Sequence, residues 1–474
     1  MRMRRSLALI ALALPVAAGC SAPYADMLDY SPGVLVADTG DPTGAKRMQR
    51  LAEVTHATAP ADGTLTLQQC IAAALSGNRQ IRIADRKVES SHAVEKSIES
   101  GYFPKLYADG NFQLFAADVA NSPLAFVEGN VTLEVPIFTF GKLEYAMDAA
   151  RHGTRANEFA AQRTRQLLAL AVSLAYVDVL EAWQFKRVTE ASIDSITQQL
   201  SLAKSREEAG VGRKADVLSA QVQLADRATN LEIARSNVVI ALANLNRLMG
   251  VNVLEPTQLV DVADIDTDAS GETFPASDVE FIALLQQAMQ NRPDLRALAA
   301  KIDATRSGFL VSKSALFPTL GAVGRFTANT EPVSATNPAQ QGGFVGVQLD
   351  LPLFNQATYA DLGGKRLDIL AAIDDRAEAV DDLALELTDA LARLRGAESR
   401  IPVTRAAIQA GEENLRLVRE EFQAGTRTSA DVLIEEDRLN QSRLNYYRAV
   451  YDHQRAHAQL RSVIAEDPLK PATN

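Results

Sequence analysis

The 474-residue sequence predicts a mixed fold, in which all-α helical hairpins are joined to the strands of a transmembrane β-barrel and the whole unit occurs twice. Three observations support this prediction. The ten residues AGVGRKADVL (209–218) return almost unchanged as AGTRTSADVL (424–433), 215 positions later. Four segments of about ten residues alternate apolar and polar side chains, which is the length of a tilted membrane-crossing strand. The chain also begins with the pattern of an export signal.

The export signal reads MRMRRSLALIALALPVAAGC. Its early arginines precede an apolar stretch that is too short to span a bilayer as a stable helix. Small residues then precede Cys20, as in the lipid-attachment box of bacterial lipoproteins, although Ala17 stands where leucine is usual. We expect cleavage after residue 19 and lipid on Cys20, with an ordinary cleaved signal as the alternative. Because Ser21 rather than an aspartate follows the cysteine, the resemblance to lipoproteins implies the outer membrane.

The duplication extends well beyond the ten-residue pair. Phe103-Pro104 corresponds to Phe317-Pro318, and Pro136 corresponds to Pro352, at nearly the same spacing. We therefore predict repeat 1 at 65–250 and repeat 2 at 280–466, each with a helix, two strands and a helical hairpin. The remaining predicted segments are a signal peptide (1–19), a lipid-anchored N-terminal segment (20–64), a linker (251–279) and a tail (467–474).

Each repeat closes with two long helices joined by the AG…DVL turn. Because no proline occurs between Phe138 and Glu255, we predict one continuous helix from Gly141 to Ala209. It would be about 100 Å long at a rise of about 1.5 Å per residue. Glycines at 210, 212 and 425 end the outgoing helices, since glycine tolerates a left-handed cap.

The other helix limits follow in the same way. A return helix is predicted from Lys214 to about Met249, a second outgoing helix from about Thr358 to Ala424, and a last helix that ends at Ala465. Thr428 and Asp431 have the spacing of a capping box at the start of this last helix. Pro402 lies inside the second outgoing helix and is expected to kink or interrupt it.

The alternating segments lie beside the paired prolines. Prolines 104 and 318 end a helix where a strand begins, and prolines 136 and 352 close the returning strand, where a missing N–H costs least. Alternation of this kind also fits a soluble two-faced sheet, and the export signal favours the membrane. The predicted strands cover Leu106 to Leu114, Val127 to Ile137, Leu320 to Phe326 and Val345 to Leu353.

Four strands are too few to close a barrel, which needs about eight. Open sheet edges are not tolerated in hydrocarbon, because each unpaired N–H or C=O group costs several kcal/mol. We therefore expect several copies of the chain to share one barrel. Two copies would supply eight strands, whose interior side chains fill the barrel, whereas three would supply twelve strands and a water-filled lumen.

The duplicated AG…DVL turns, the two FP helix-to-strand junctions and the proline-ended strands resemble the TolC family of outer-membrane efflux channels. The resemblance covers 65–465, and the stretch that begins at Cys20 resembles the lipoprotein branch. It implies a homotrimer with a twelve-stranded barrel in outer-membrane lipid and a twelve-helix tunnel that extends into the periplasm. It also implies a passive conduit for drugs, toxic compounds or metal ions, which works with a periplasmic adaptor protein and an inner-membrane pump.

In this family the turns form a closed periplasmic end. The resemblance implies that Asp431 belongs to a ring of aspartates and that Arg427 is a latch to a neighbouring hairpin, with Asp216 as the candidate acceptor. Two positions depart from the family pattern, because Ala215 replaces a hydroxyl residue and Ile434 replaces a second acidic one. Both aspartates also fit an ordinary place at a helix start, where the helix dipole favours a carboxylate.

Other functions receive less support from the sequence. A net charge of −11, with no basic run after the first five residues, argues against a nucleic-acid partner. We find no motif of a phosphate loop, a hydrolase nucleophile or a zinc protease, and expect neither enzyme activity nor a cofactor. His453 and His457 lack a nearby third ligand for a metal. The remaining alternatives are a conduit for type I protein secretion and a periplasmic coiled-coil scaffold without a barrel.

Overall fold

The computed structural model describes residues 64–114, 125–260, 278–330 and 341–466. The predicted signal peptide, Cys20 and the tail lie outside the described residues. The eight α-helices of the described part are α1 (Leu67–Gly77), α2 (Arg79–Glu99), α3 (Lys142–Glu208), α4 (Lys214–Met249), α5 (Asp278–Asn291), α6 (Pro293–Ser314), α7 (Gln356–Gln423) and α8 (Ser429–Val463). Its four strands are β1 (Lys105–Leu114), β2 (Ala125–Phe138), β3 (Thr319–Thr330) and β4 (Gln341–Asp350).

The order of these elements confirms the predicted fold class. Two short helices, two strands and a long helical hairpin occur in the first half of the chain and again in the second. The two outgoing helices, α3 and α7, contain 67 and 68 residues, which corresponds to about 100 Å each. Their return helices are about half as long, with 36 residues in α4 and 35 in α8.

The short helices complete the packing where the return helices have ended. α4 packs along α3, α8 packs along both α7 and α3, and these contacts join the two hairpins. α2 packs on α3, whereas α6 lies against α3 and α7 together. Each long helix therefore packs against several neighbouring helices of the same chain.

The predicted helix ends are confirmed at the two turns. Gly210 and Gly425 have left-handed φ values of +73° and +83°, as expected where an outgoing helix stops. Gly212 is required for a different reason, since a Cβ there would lie 2.7 Å from the backbone nitrogen of Glu207. At the start of α8, Thr428 and Asp431 form the predicted capping box.

Two predictions about prolines need correction. α7 continues through Pro402, so the expected interruption is wrong, whereas the expected kink stays a prediction; the ring removes one backbone bond while packing along α8 retains the helix around it. β4 ends at Asp350, and Pro352 therefore lies beyond the strand that it was expected to close. Pro136 lies inside β2, where the pairing with β3 shifts register between residues 136 and 138.

The largest core lies where α1, α3 and α4 meet. Tyr176 is buried there, and its hydroxyl group donates to the carbonyl oxygens of Val260 and Leu65 at 2.6 Å and 3.2 Å. Cys70 is fully buried in the same core, where it packs as a small apolar residue, and burial raises the pKa of its thiol to about 12. Leu259 also packs here, so this part of the predicted linker belongs to the core.

α3 is long and apolar enough, in one stretch, to qualify as a candidate membrane-spanning helix. Half of that stretch is buried inside the chain. Its buried residues include Val172, Val179 and Leu180, which contact the core around Tyr176. The apolar character of α3 is therefore explained by packing against α1 and α4 within the chain.

We predict that Gly250→Ala destabilises the fold by about 1–3 kcal/mol, because Gly250 combines strain with a close contact. Its φ is +76°, and an added Cβ would lie 2.6 Å from the carbonyl oxygen of Gly77. The midpoint of thermal unfolding, followed by circular dichroism, should fall. Gly363→Ala is the matched control: no atom lies within 4 Å of its added Cβ, so this helix-interior change should raise the midpoint. Equal effects of both substitutions would contradict the role given to Gly250.

Candidate functional site

The four strands form one antiparallel sheet in the order β1-β2-β3-β4. Its register brings apolar residues side by side on one face, where Leu106 pairs with Leu133, Leu133 with Gly324 and Gly324 with Val345. Leu106 is 71% exposed and Val345 is 89% exposed. Such a continuous exposed apolar face indicates that something outside this chain covers it.

The opposite face of the sheet is polar and internally hydrogen-bonded. The Tyr107 hydroxyl donates to Glu134 Oε1 at 2.7 Å, and Asn130 Nδ2 donates to Asp109 Oδ2 at 2.9 Å. Thr327 Oγ1 donates to Asn130 Oδ1 at 2.8 Å, which extends the network to β3. The sheet thus has one apolar face and one polar face, the pattern of a transmembrane β-barrel wall.

The sheet does not close on itself. β1 pairs with β2, and β4 pairs with β3, but β1 and β4 do not pair with each other in the described sheet. Each of these outer strands therefore has one side on which its backbone N–H and C=O groups lack a strand partner. With an apolar face beside them, these edges need partners that this copy of the chain does not provide.

An aromatic cluster connects the sheet to the long helices. Phe140 has a φ of 51°, unusual for a bulky residue, and Gly141 follows it at 87° as the N-cap of α3. The Phe140 ring stacks on Phe317 with 6.1 Å between centroids and 8° between planes, and Phe138 packs edge-on at 4.6 Å. The phenylalanine of the second FP motif therefore stabilises the strand-to-helix junction of the other repeat.

The far ends of the hairpins carry the three residues that the resemblance selected. Arg427 Nε lies 2.9 Å from Glu421 Oε2, and Asp216 lies 3.6 Å from Arg213 Nε. Among the described ion pairs, the predicted Arg427–Asp216 pair is therefore not formed within one chain. Asp431 accepts hydrogen bonds from the backbone and side chain of Thr428, which, with help from Arg427, lower the pKa of its carboxyl group.

An ion pair with a buried carboxylate, which the sequence analysis missed, lies behind these tips. The Glu436 side chain, 6% exposed on α8, accepts from Arg419 Nη2 of α7 at 2.6 Å and from Ser195 Oγ of α3 at 2.8 Å. The second oxygen of Glu436 has no partner among the described side chains. The signal for this residue was available, because Glu436 interrupts the apolar spacing of Val432 and Leu439 on one helix face.

A second contact also joins the two hairpins near their tips. The guanidinium group of Arg206, in the last turn of α3, lies 4.3 Å from the ring centroid of Phe422 at the end of α7. This is a cation–π distance. Together with the Glu436 cluster, it fixes one hairpin end against the other within the chain.

The histidine pair of α8 also gains a neighbour that the sequence did not predict. His453 Nε2 lies 3.8 Å from Glu398 Oε1, and the ring of His457 is 6.4 Å away between centroids. Burial, followed by the charge of His457, lowers the pKa of His453. Across residues 64–114, 125–260, 278–330 and 341–466, no three or more His, Cys, Asp or Glu side chains are grouped so that they could hold a metal ion.

We predict that Glu436→Ala destabilises the hairpin ends by about 2 kcal/mol, because it leaves the hydrogen-bonding groups of Arg419 and Ser195 without their shared acceptor. The midpoint of thermal unfolding should decrease by several degrees. Glu420→Ala is the control. Glu420 pairs with Arg416 on the surface of α7, so its substitution should have little effect on the midpoint. A Glu436 variant as stable as this control would show that the buried pair does not join the hairpins.

Comparison with known proteins agrees with this architecture. Residues 70–251 and 284–466 each match the family model described as outer membrane efflux protein. The probable efflux pump outer membrane protein TtgC of Pseudomonas putida is 22% identical over 411 residues, which covers 81% of this chain and 82% of the relative. Outer membrane protein TolC of Vibrio cholerae is 23% identical over 397 residues, with coverage of 81% and 86%.

Solved structures show the same fold. The Campylobacter jejuni CmeC outer membrane channel matches with a TM-score of 0.69 at 16% identity, over 85% of this chain and 87% of CmeC. The family match spans both halves of the chain, including the strands and both hairpins, and it confirms the resemblance to TolC-like proteins. This protein belongs to the outer membrane efflux protein family.

Proposed function

We propose that three copies of this chain form a passive channel that exports small molecules across the periplasm and the outer membrane. The observation that carries the proposal is the four-stranded sheet with one apolar face and two open edges. If β1 of each copy pairs with β4 of the next, three copies form a closed barrel of twelve strands without a free edge. The apolar face then contacts lipid, and the polar face lines the lumen.

The helices continue this arrangement below the membrane. In the assembly, the helices of three copies would form a tunnel about 100 Å long, the length of α3 and α7. An apolar stripe on α4 supports the assembly, since its members are exposed in a single chain and would be covered by an adjacent copy. The stripe comprises Leu218, Val222, Ile233 and Ile240, each more than half exposed.

The proposed partners are a periplasmic adaptor protein and an inner-membrane pump, because a passive channel has no energy source of its own. The relative TtgC is named as the outer membrane protein of a probable efflux pump, which supports a role in efflux for this channel. Asp109, Glu128 and Glu134 lie on the polar side of the strands by their pairing, so the lumen should favour cations. We also propose that lipid on Cys20 anchors the N-terminus in the outer membrane.

We propose that the hairpin ends form the gate, with Asp431 facing the axis and Arg427 as the latch. Arg427 and its present partner, Glu421, are both about half exposed, so solvent screens their ion pair and it contributes little to stability. Arg427 can therefore change its ion-pair partner from Glu421 to Asp216 of a neighbouring hairpin at little cost in free energy. A closed end held by such weak pairs can be opened when an adaptor binds to it.

The assembly is tested with the purified full-length protein in mild detergent. We predict a trimer by size-exclusion chromatography with light scattering, and discrete single-channel currents after insertion into planar bilayers. A monomer, or protein that stays in the aqueous fraction when envelopes are separated, would exclude the shared barrel. A trimer that does not conduct would instead favour a scaffold function.

The latch is tested by single-channel recording of the double variant Arg427→Ala/Asp216→Ala. We expect a higher conductance than that of the wild type, because the hairpin ends lose the pair that holds them together. Lys214→Ala, a charge removal beside the first turn, is the control and should leave the conductance unchanged. If the double variant conducts like the wild type, the closure depends on other residues.

A further inference from the structure

The two short helices that precede the strands occupy different environments. α6 lies between α3 and α7, whereas α2, its counterpart in the first half, packs along α3 and makes no extensive contact with α7 in the described chain. Because the chain is duplicated, the helices that lie beside α6 predict which helices should lie beside α2. That missing neighbour corresponds to a long outgoing helix, and only another copy of the chain can supply it.

The outward face of α2 is basic. Arg79, Arg82 and Arg86 are exposed and lie about 100–160° around the helix from the buried Ile81. They form no ion pair among the described residues. Asp85, three residues after Arg82, is already held by Arg165 of α3 at 2.5 Å. Three arginines therefore lie along one exposed helix face without neutralising partners in the same chain.

The outward face of α7 is acidic over a similar length. Asp374, Glu378 and Asp381 are exposed on the side opposite the buried Leu383 and Leu387, and they too form no ion pair in the described part of the chain. Their neighbour Asp375 differs, because it points towards α6 and binds Lys301 at 2.9 Å. The unpaired carboxylates thus face away from the chain's own short helix.

Correspondence between the repeats places these two faces opposite each other. Within one chain, Arg296 of α6 lies 6.0 Å from the ring of Phe159 on α3, and Asp294 lies 3.6 Å from Arg163. The residues that correspond to Arg296 and Asp294 are Arg82 and Gln80, 214 positions earlier, and Arg79 directly precedes Gln80. The residues that correspond to Phe159 and Arg163 are Asp374 and Glu378, 215 positions later. The contact between copies that corresponds to Arg296–Phe159 is therefore Arg82 with Asp374.

We propose that the basic face of α2 binds the acidic face of α7 from the adjacent copy, with Arg79 and Arg82 opposite Asp374 and Glu378. This inference rests on the proposed trimer and specifies which surfaces meet in it. Opposite charges favour α2 against α7, whereas α2 against α2 or α7 against α7 would bring like charges together. The charges therefore favour a head-to-tail contact, which is the kind that closes a ring of three.

The test reverses the charges on the full-length protein in mild detergent. The two double variants are Arg79→Glu/Arg82→Glu and Asp374→Lys/Glu378→Lys. Each brings like charges into contact, so the protein concentration at which half of the trimer dissociates should rise by about tenfold or more. The variant with all four substitutions should recover most of the loss. Lys87→Glu is the control, because Lys87 is exposed on the same helix but lies about 100° around it from Arg86.

Each outcome decides one question. Reversed pairs that still trimerise like the wild type, or a fourfold variant that recovers nothing while keeping its helical circular dichroism, would refute the α2–α7 contact. A wild-type protein that is itself monomeric would refute the proposed channel, and the contact with it.

A second measurement covers variants that fail to fold. Oxidation of Arg82→Cys/Asp374→Cys should give a disulfide between copies and a ladder up to three chains on a denaturing gel. Lys87→Cys/Asp374→Cys should not, and equal cross-linking of both pairs would contradict the predicted register.

Discussion

The unpaired backbone groups of β1 and β4 are the constraint on which the rest of the molecule depends. A sheet with a continuous apolar face is stable in hydrocarbon only if its edges are paired, and four strands in one chain cannot do this. Assembly of copies is then a requirement of the backbone rather than a property added to a stable monomer. β1 and β4 are the first and last strands of the sheet, so each has one unpaired edge. The unpaired edge of β1 in one copy can pair with the unpaired edge of β4 in another.

Duplication provides the strands and helices of both halves from one repeated unit. Sequence differences between the two repeats make their outer surfaces different. At corresponding positions, Ala300 of α6 is 8% exposed against neighbouring helices, whereas Arg86 of α2 is exposed. A small apolar residue suits close packing within a chain, and a charged one suits a surface that must remain soluble before assembly. The two halves have the same fold, but their surfaces differ where one faces its own chain and the other faces outward.

The hairpin ends combine interactions of two strengths. The Arg419–Glu436 pair includes a buried carboxylate, so breaking it is costly, and it fixes the two hairpins of one chain to each other. The pairs of Arg427 and Asp216 are more exposed and individually weak. In the proposed trimer, such a division lets each chain move as a unit at the gate while contacts between chains break and re-form.

The sequence by itself determined the duplication, the helix ends and the two-faced strands, because glycine caps, proline positions and the two periodicities are local properties. It also identified Asp431, Arg427 and Asp216 through a family resemblance, and their roles at the gate remain predictions. Only the tertiary structure revealed the partners of Glu436, the continuation of α7 through Pro402, and the different surroundings of α2 and α6. These depend on which helix lies beside which, and the partners are distant along the chain. No local pattern specifies such contacts, because burial and charge pairing are decided only when helices from different parts of the chain meet.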